Sequence, residues 1–411
     1  MKNLSNQIKP FVIWGIADLY FVFAVTITII FGVLSPDIKN QLALTNAQLG
    51  LLGFGFFLSF GVTQLLTGNL IDTLGPRISL SVAAIVSAIG LFLFSNATEF
   101  KQAFAGQIIM GAGLSPSFVG AVYLASNWFS KKYFSLFSGL TLMSANIISA
   151  SMIVILAITK GPAINFRAMM MSLAIVSLIL SFLLFLIVRK PDLAIETSNE
   201  KRDVWKDLRN LFEIPQFWLG TIYFSCTIGV YLSFSSLWNV PDSLAYGHDL
   251  KTATLLSATI RYGVAIGALL AGALASYLGS YSTLARIYST GALLLAFLLV
   301  YGPIFPLPIV YLVYLTFGYF MGGTALGFPL AGQWIPADLK GTGFGLMAAL
   351  GYLVSAFVQY ITGLLLSVHV LPSEKPNIHD FTIALTPLFL IIVLGWLCTL
   401  WLKDQSSDNR T

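Results

Sequence analysis

The sequence predicts an all-α membrane protein whose twelve transmembrane helices form two pseudo-symmetric six-helix bundles. Composition is the first ground. The 411 residues are 57% hydrophobic and only 9% charged, whereas a water-soluble domain carries about 25% charged residues, so most of the surface must face lipid. Spacing is the second, because apolar runs recur that are long enough to cross about 30 Å of hydrocarbon with about 20 residues each. An echo of the first half of the chain in the second half is the third.

The runs fall at 11–34, 47–70, 78–96, 102–128, 134–158, 165–188, 216–239, 252–275, 284–302, 308–333, 342–368 and 381–402. The first is too long for the core of a signal peptide and no small-residue cleavage site follows it, so it reads as a retained span. The stretch Arg189–Pro215 is the one long hydrophilic segment. Within it Trp205, Leu208, Leu211 and Phe212 recur at helical spacing against Lys206, Asp207 and Arg209, the pattern of a short helix lying on a membrane face. It divides the chain into a bundle at 1–190, a linker at 191–214 and a second bundle at 215–411.

Charge sets the expected orientation. With the N-terminus inside, fifteen of the 22 Lys and Arg fall in inner segments, six in outer segments and Arg261 inside a span. That is the positive-inside bias, which predicts both termini in the cytoplasm.

The halves echo each other. Gly272-Ala273-Leu274-Ala275-Ser276-Tyr277-Leu278-Gly279 aligns with Gly68 to Gly75, with both glycines and both leucines coincident and Ser276 in place of Asp72. Trp128 and Trp334 each end a Gly-rich span at corresponding places. Parallel halves of six spans are a transporter architecture.

Several function classes are excluded. Cys226 and Cys398 lie in apolar stretches, so no disulfide framework is expected. His248, His369 and His379 fall in outer loops, and no phosphate-binding Gly-Lys-Ser/Thr loop or His/Cys cluster occurs. The sequence therefore predicts no enzyme, no cofactor, no metal site and no nucleic-acid partner. The expected partners are a small-molecule solute, protons and the lipid bilayer, with the protein a monomer.

The short turn Gly68-Asn69-Leu70-Ile71-Asp72-Thr73-Leu74-Gly75-Pro76-Arg77 resembles the signature of the major facilitator superfamily between its second and third helices. Gly68, Asp72, Gly75 and Arg77 match it, while Thr73 and Pro76 stand where the family usually has bases. Ile335 to Thr342 resembles the family's loop between helices ten and eleven. The resemblance covers the whole chain and implies a bacterial inner-membrane transporter with a cytoplasmic gate built from Gly68, Asp72, Gly75 and Arg77. Two departures narrow it. Gln107 stands before Met110-Gly111-Ala112-Gly113 where many members have an arginine, so no arginine couples protons there. The fifth span contains no proline, which argues against the drug-efflux branch. The chain also resembles the phagosomal-transporter-like carriers through which intracellular bacteria take up host amino acids or nucleosides.

A charge near the bilayer centre costs about 2.5–3.5 kcal/mol on the insertion scale, so such residues mark function by default. Two stand out. Asp18 lies a third of the way along the first span, on a face with Trp14, Gly15, Val22 and Val25. It could carry a proton or touch the solute; alternatively it makes a structural hydrogen bond to a neighbouring helix. Arg261 lies near the middle of the eighth span among Thr254, Ser257, Ala258, Ala265 and Ala268. It could anchor a carboxylate through its planar fork; alternatively it bridges to Asp18, holding the halves together or gating them. Gln107, Tyr123, Asn146, Tyr231, Tyr314, Tyr319 and Gln359 are the further candidates for lining a solute cavity, each also explicable as a helix contact.

The expected function is proton-coupled uptake of a small anionic or zwitterionic solute, an amino acid first, by alternating access. The alternatives are an exporter of a siderophore or other amphiphilic metabolite and, from another class, a membrane sensor that binds the solute without moving it.

Overall fold

The computed structural model describes residues 2–130, 133–159, 165–189, 209–336, 339–370 and 374–405. The principal elements are α1 (Lys2–Gln41), α2 (Asn46–Ser95), α3 (Phe100–Leu114), α4 (Pro116–Trp128), α5 (Phe134–Thr159) and α6 (Phe166–Ile187) in the first half. The second half has α7 (Pro215–Ser233), a π-helical turn (Phe234–Trp238), α8 (Asn239–Ala245), α9 (Leu250–Leu278), α10 (Tyr281–Tyr301), α11 (Leu307–Met321), a 3₁₀ turn (Gly322–Leu326), α12 (Gly327–Gly332), α13 (Lys340–His369) and α14 (Ile378–Trp401). Among the described residues there is no strand.

Eleven helical stretches among the described residues are long and apolar enough to cross a membrane. The 50-residue α2 is two of the expected spans in one element. At about 1.5 Å per residue it runs about 75 Å, more than twice the bilayer core. It breaks at Gly75, where φ is +78° and ψ 156°. That left-handed φ favours glycine, and it turns the chain back within the signature. Counted as two, α2 brings the crossings to the twelve expected.

Three spans are internally broken. Pro116, lacking an N–H, opens α4 straight after Ser115, and Ser115 Oγ donates to the Phe60 carbonyl at 2.8 Å and to Gln64 Oε1 at 3.0 Å. The π turn interrupts the seventh span and the 3₁₀ turn the tenth. The seventh span also outruns its apolar run: Asn239, Pro241 and Asp242 lower the hydropathy, yet the helix continues to Ala245.

Exposed Ile155, Ile158, Phe182, Leu269 and Leu294 form the belt that suits lipid. The linker-helix residues Trp205, Lys206, Asp207 and Leu208 lie outside the described residues. The adjoining Leu211 is buried, and Phe212 is exposed and stacks on Trp218 with centroids 4.8 Å apart.

The internal repeat is visible in side-chain chemistry. Tyr20 OH donates to the Gly113 carbonyl and Tyr223 OH to the Gly323 carbonyl, both at 2.8 Å. Trp128 Nε1 donates to the Arg189 carbonyl at 3.0 Å and Trp334 Nε1 to the Lys403 carbonyl at 3.3 Å. Arg77 Nε donates to the Phe185 carbonyl at 2.6 Å and Arg286 Nη2 to the Thr399 carbonyl at 3.4 Å. Each pair fastens corresponding spans of the two halves.

Small residues let helices approach closely. A Cβ on Gly263 or Gly267 would collide with the carbonyl of Leu315 or Tyr319, and one on Gly318 would collide with that of Ile260. By contrast Gly341 and Gly345 have nothing within 4 Å. Gly267→Ala should therefore lower stability by about 1–3 kcal/mol through overpacking, while Gly345→Ala should be neutral or stabilising by up to about 1 kcal/mol. Thermal unfolding in detergent checks the contrast.

Candidate functional site

Among the described residues the two halves meet mainly toward one end of the molecule. Its terminal face carries the start of α1 and the end of α14; the far face carries the α1–α2 turn. Toward the far face the seam is tight. The Ala47 N–H donates to Ser367 Oγ at 2.7 Å, Gly50 packs on Gly363 and on the Gln359 backbone, and Gly32 packs on the Ser236 backbone. Aromatic contacts continue it inward through Phe54 against Phe357, at 5.5 Å, to Phe60 against Tyr352, at 4.4 Å. The α2–α13 ring contacts reach no nearer the terminal face than Phe60–Tyr352 among the described residues. Nearer that face Gly15, Gly68, Gly139, Gly341 and Gly345 have open space around them. The halves are closed on the far side and parted on the terminal side.

Arg261 sits at the inner edge of this closed seam and is 1% exposed. Nη1 donates to Tyr231 OH at 3.2 Å, and Nη2 donates to Ser235 Oγ at 3.3 Å and Thr28 Oγ1 at 3.4 Å. Tyr231 OH in turn donates to Asn146 Oδ1 at 2.9 Å. Thr28 and Asn146 belong to the first half and the other groups to the second, so the guanidinium network ties the halves. All of its partners are neutral, and Nε has none. No carboxylate pairs with Arg261 among the described residues, so the bridge to Asp18 is not formed. A buried, uncompensated charge costs several kcal/mol.

Beside Thr28 and Ser236 is a hollow with room for about one water molecule, also lined by Gly53, Gln107 and Gln359. Gln359 Nε2 donates to Ser236 Oγ at 2.9 Å. Gln107 Nε2 and Gln359 Oε1, a donor and an acceptor, have no partner among the described residues. Gly53 is required here, because a Cβ would occupy the place of Gln359 Oε1.

Asp18 is 8% exposed and lies toward the parted end. Ser144 Oγ on α5 donates to its two carboxylate oxygens at 3.1 and 2.9 Å. One turn earlier Trp14 Nε1 donates to Thr141 Oγ1 at 3.1 Å. Asp18 thus has the hydrogen bond to a neighbouring helix, and open space beside Gly15 one turn away.

The other candidates are spread. Arg261, Tyr231, Asn146, Gln107 and Gln359 come together. Tyr319 OH accepts from Tyr288 OH at 3.0 Å within the second half. Tyr314 OH shares a 3.2 Å bond with Ser243 Oγ, away from the seam. Tyr123 is half-buried within electrostatic reach of Asp72. In the signature turn Asp72 is exposed, and the Arg77 guanidinium lies 4.0 Å from the centre of the Phe185 ring.

Sequence reasoning missed two kinds of residue. Thr28, Ser144 and Ser235 are short hydroxyls that only the fold brings to the ionic groups. Asp242 is a further acid within a spanning helix and is 3% exposed. It fell beyond the apolar run that ended at 239, and the length of α8 was the signal needed to include it.

Comparison with known proteins identifies the chain. Residues 18–359 match the Major Facilitator Superfamily. A nitrate/nitrite transporter of Picosynechococcus sp. is 29% identical over 98 residues, 24% of this chain and 18% of that protein. A probable L-galactonate transporter of Escherichia coli is 24% identical over 252 residues, 55% of this chain and 53% of that protein. The chain thus spans less than a fifth of the first relative and about half of the second. Among solved structures, the nucleoside transporter NupG superposes with a TM-score of 0.74 at 13% identity, covering 96% of this chain and 100% of that one. The E. coli xylose transporter XylE, partially occluded and inward open, does so with 0.73 at 13% identity over 98% and 99%. With the broken spans, the repeated halves and a family match over most of its length, the chain belongs to the major facilitator superfamily and is a multi-pass membrane protein.

Proposed function

We propose that the protein takes up a small anionic or zwitterionic solute together with protons, its halves rocking about the Arg261 network. One observation carries this reading: a fully buried guanidinium held only by neutral groups of both halves, with Nε unpartnered. A carboxylate is the ligand that supplies the missing charge and matches the planar fork. The unpartnered amide atoms of Gln107 and Gln359 would then meet an amino or hydroxyl group of the same solute. Both relatives are named for small anions, nitrate or nitrite and L-galactonate, which supports an acidic solute. An amino acid remains the first choice within that class because the site offers one cation beside a neutral donor and acceptor.

Asp18 is the proposed proton carrier, placed toward the parted end and reached from it. Asp72 and Arg77 form the proposed latch of the terminal face. The excess of basic residues there supports a cytoplasmic position for that face and both termini, and the proposed protein is a monomer of the inner membrane. The structure then corresponds to an inward-open state. The proposed division is a bundle at 1–190, a linker at 191–214 and a bundle at 215–411, which move against each other as units.

Arg261→Ala should weaken binding of an acidic solute by about 10- to 100-fold, the worth of a charge-assisted contact, and of a neutral analogue far less. A thermal-shift panel of amino acids, sugar acids and organic acids measures this, and equal losses would make Arg261 structural. Asp18→Asn should abolish accumulation driven by a proton gradient in proteoliposomes and leave solute counterflow largely intact; undiminished accumulation would remove Asp18 from the coupling. Asp72→Asn should slow turnover with little change in affinity, and initial-rate transport assays separate the two.

A further inference from the structure

We propose that Asp242 is a second proton-binding site, reached from the far face, whose protonation holds that face closed. It goes beyond the uptake reading and does not depend on the roles given there to Asp18 or Arg261. Asp242 lies on α8 and is 3% exposed. Among the described residues its carboxylate has no hydrogen bond and no ion pair. It lines a cavity with Ser243, Tyr246, His248 and Tyr314, walled by Leu298, Leu299, Pro303, Ile304, Phe305, Val310 and Val313. The cavity has room for about three waters.

The surroundings select a proton over a metal cation. A bare cation would need a cage of oxygens, and the cavity offers one carboxylate and a few neutral hydroxyls against an apolar wall. A proton needs no cage. The titratable groups facing Asp242 are Tyr246 and His248 at the end of its own segment and Tyr314 from α11. From α10 only Leu298 and Leu299 face it, and no lysine or arginine lines the cavity. The helices α1, α9 and α14 also pack on α8 and bring no charged side chain into electrostatic contact with Asp242. His248, half-buried in the turn between α8 and α9, lines the same cavity and can pass protons between water and the acid.

The link to the far seam is the chain itself. One turn before Asp242, Trp238 Nε1 donates to the Gln359 carbonyl at 3.1 Å. Before that, Ser236 accepts from Gln359 Nε2, and its backbone packs on Gly32 of the first half. An ionised carboxylate here would have only the few waters that the cavity holds and, among the described residues, no partner, which is costly. A proton taken from the far-side water onto a carboxylate oxygen removes that cost. Its release back to the same water favours hydration of the cavity and, through the broken helix, opening of the seam.

The test uses Ala47→Cys with Ser367→Cys, placed where the seam is bonded at 2.7 Å, in the full-length protein in proteoliposomes. Cross-linking yield reports closure, and comparing Asp242→Asn with the parent at each pH cancels the pH dependence of the thiol chemistry. The parent should favour the closed, cross-linked form as pH falls, by up to about tenfold per pH unit for one proton. Asp242→Asn should be closed at every pH, and Asp242→Glu should have a displaced profile. An Asp242→Asn profile that follows the parent's overturns the proposal, as does an Asp242→Glu profile superposing on it. A response to sodium at fixed pH would instead make the site a metal-cation site. A second readout needs no transport: infrared difference spectra between pH steps should contain a carboxyl band of the high-frequency type expected for an acid without a hydrogen-bond partner. The band should vanish in Asp242→Asn and persist in Asp18→Asn. Its persistence in Asp242→Asn overturns the assignment whatever the fate of the uptake reading.

Discussion

A positive charge in a low-dielectric seam, without a negative one beside it, is the constraint around which this molecule is arranged. Arg261 is 1% exposed, and hydroxyls from both halves share the burden of solvating it. Neutral hydrogen bonds replace part of the lost hydration but not the missing counter-charge. A network of that kind is stable enough to fold and poor enough to welcome an anion. It also crosses the boundary between the halves, so whatever satisfies the guanidinium changes how firmly they are joined.

The polar groups reach this place because the spans that deliver them are broken or small-sided. The π turn of the seventh span puts Ser235 and Ser236 side by side, one toward Arg261 and the other toward Gln359. Gly32, Gly50 and Gly363 let the seam close over them with backbone against backbone, and Gly53 makes room for the Gln359 side chain. Where glycines have open space instead, on the terminal side, the halves separate. The same residue type therefore seals one end and leaves the other free, according to what faces it.

The fold class was legible in the sequence because hydropathy and a glycine-bounded turn both depend on local composition. Asp18 and Arg261 stood out for the same reason, since an ionic side chain in an apolar run is visible without a structure. The partners of those ions were not legible. Ser144 lies 126 residues from Asp18, and Thr28 lies 233 from Arg261, so only packing identifies them among many serines and threonines. Tyr314 and Tyr319 are among the candidates for lining a solute cavity, but each turns into its own half, toward Ser243 and Tyr288. Asp242 escaped because polar residues around it ended the apolar run while helix formation went on.

The three matched pairs, Tyr20 with Tyr223, Trp128 with Trp334 and Arg77 with Arg286, join residues on the same side of the seam. None of these six clasps has to loosen when one half swings relative to the other. In the proposed rocking the work of switching falls on the contacts between the halves: glycine backbones, a few aromatic rings, the guanidinium's hydroxyls and the packing of α5 on α9, where Ser151 and Tyr262 share a 2.9 Å hydrogen bond. A transporter built this way can keep each half as rigid as stability demands and still turn over, because rigidity and motion are assigned to different surfaces.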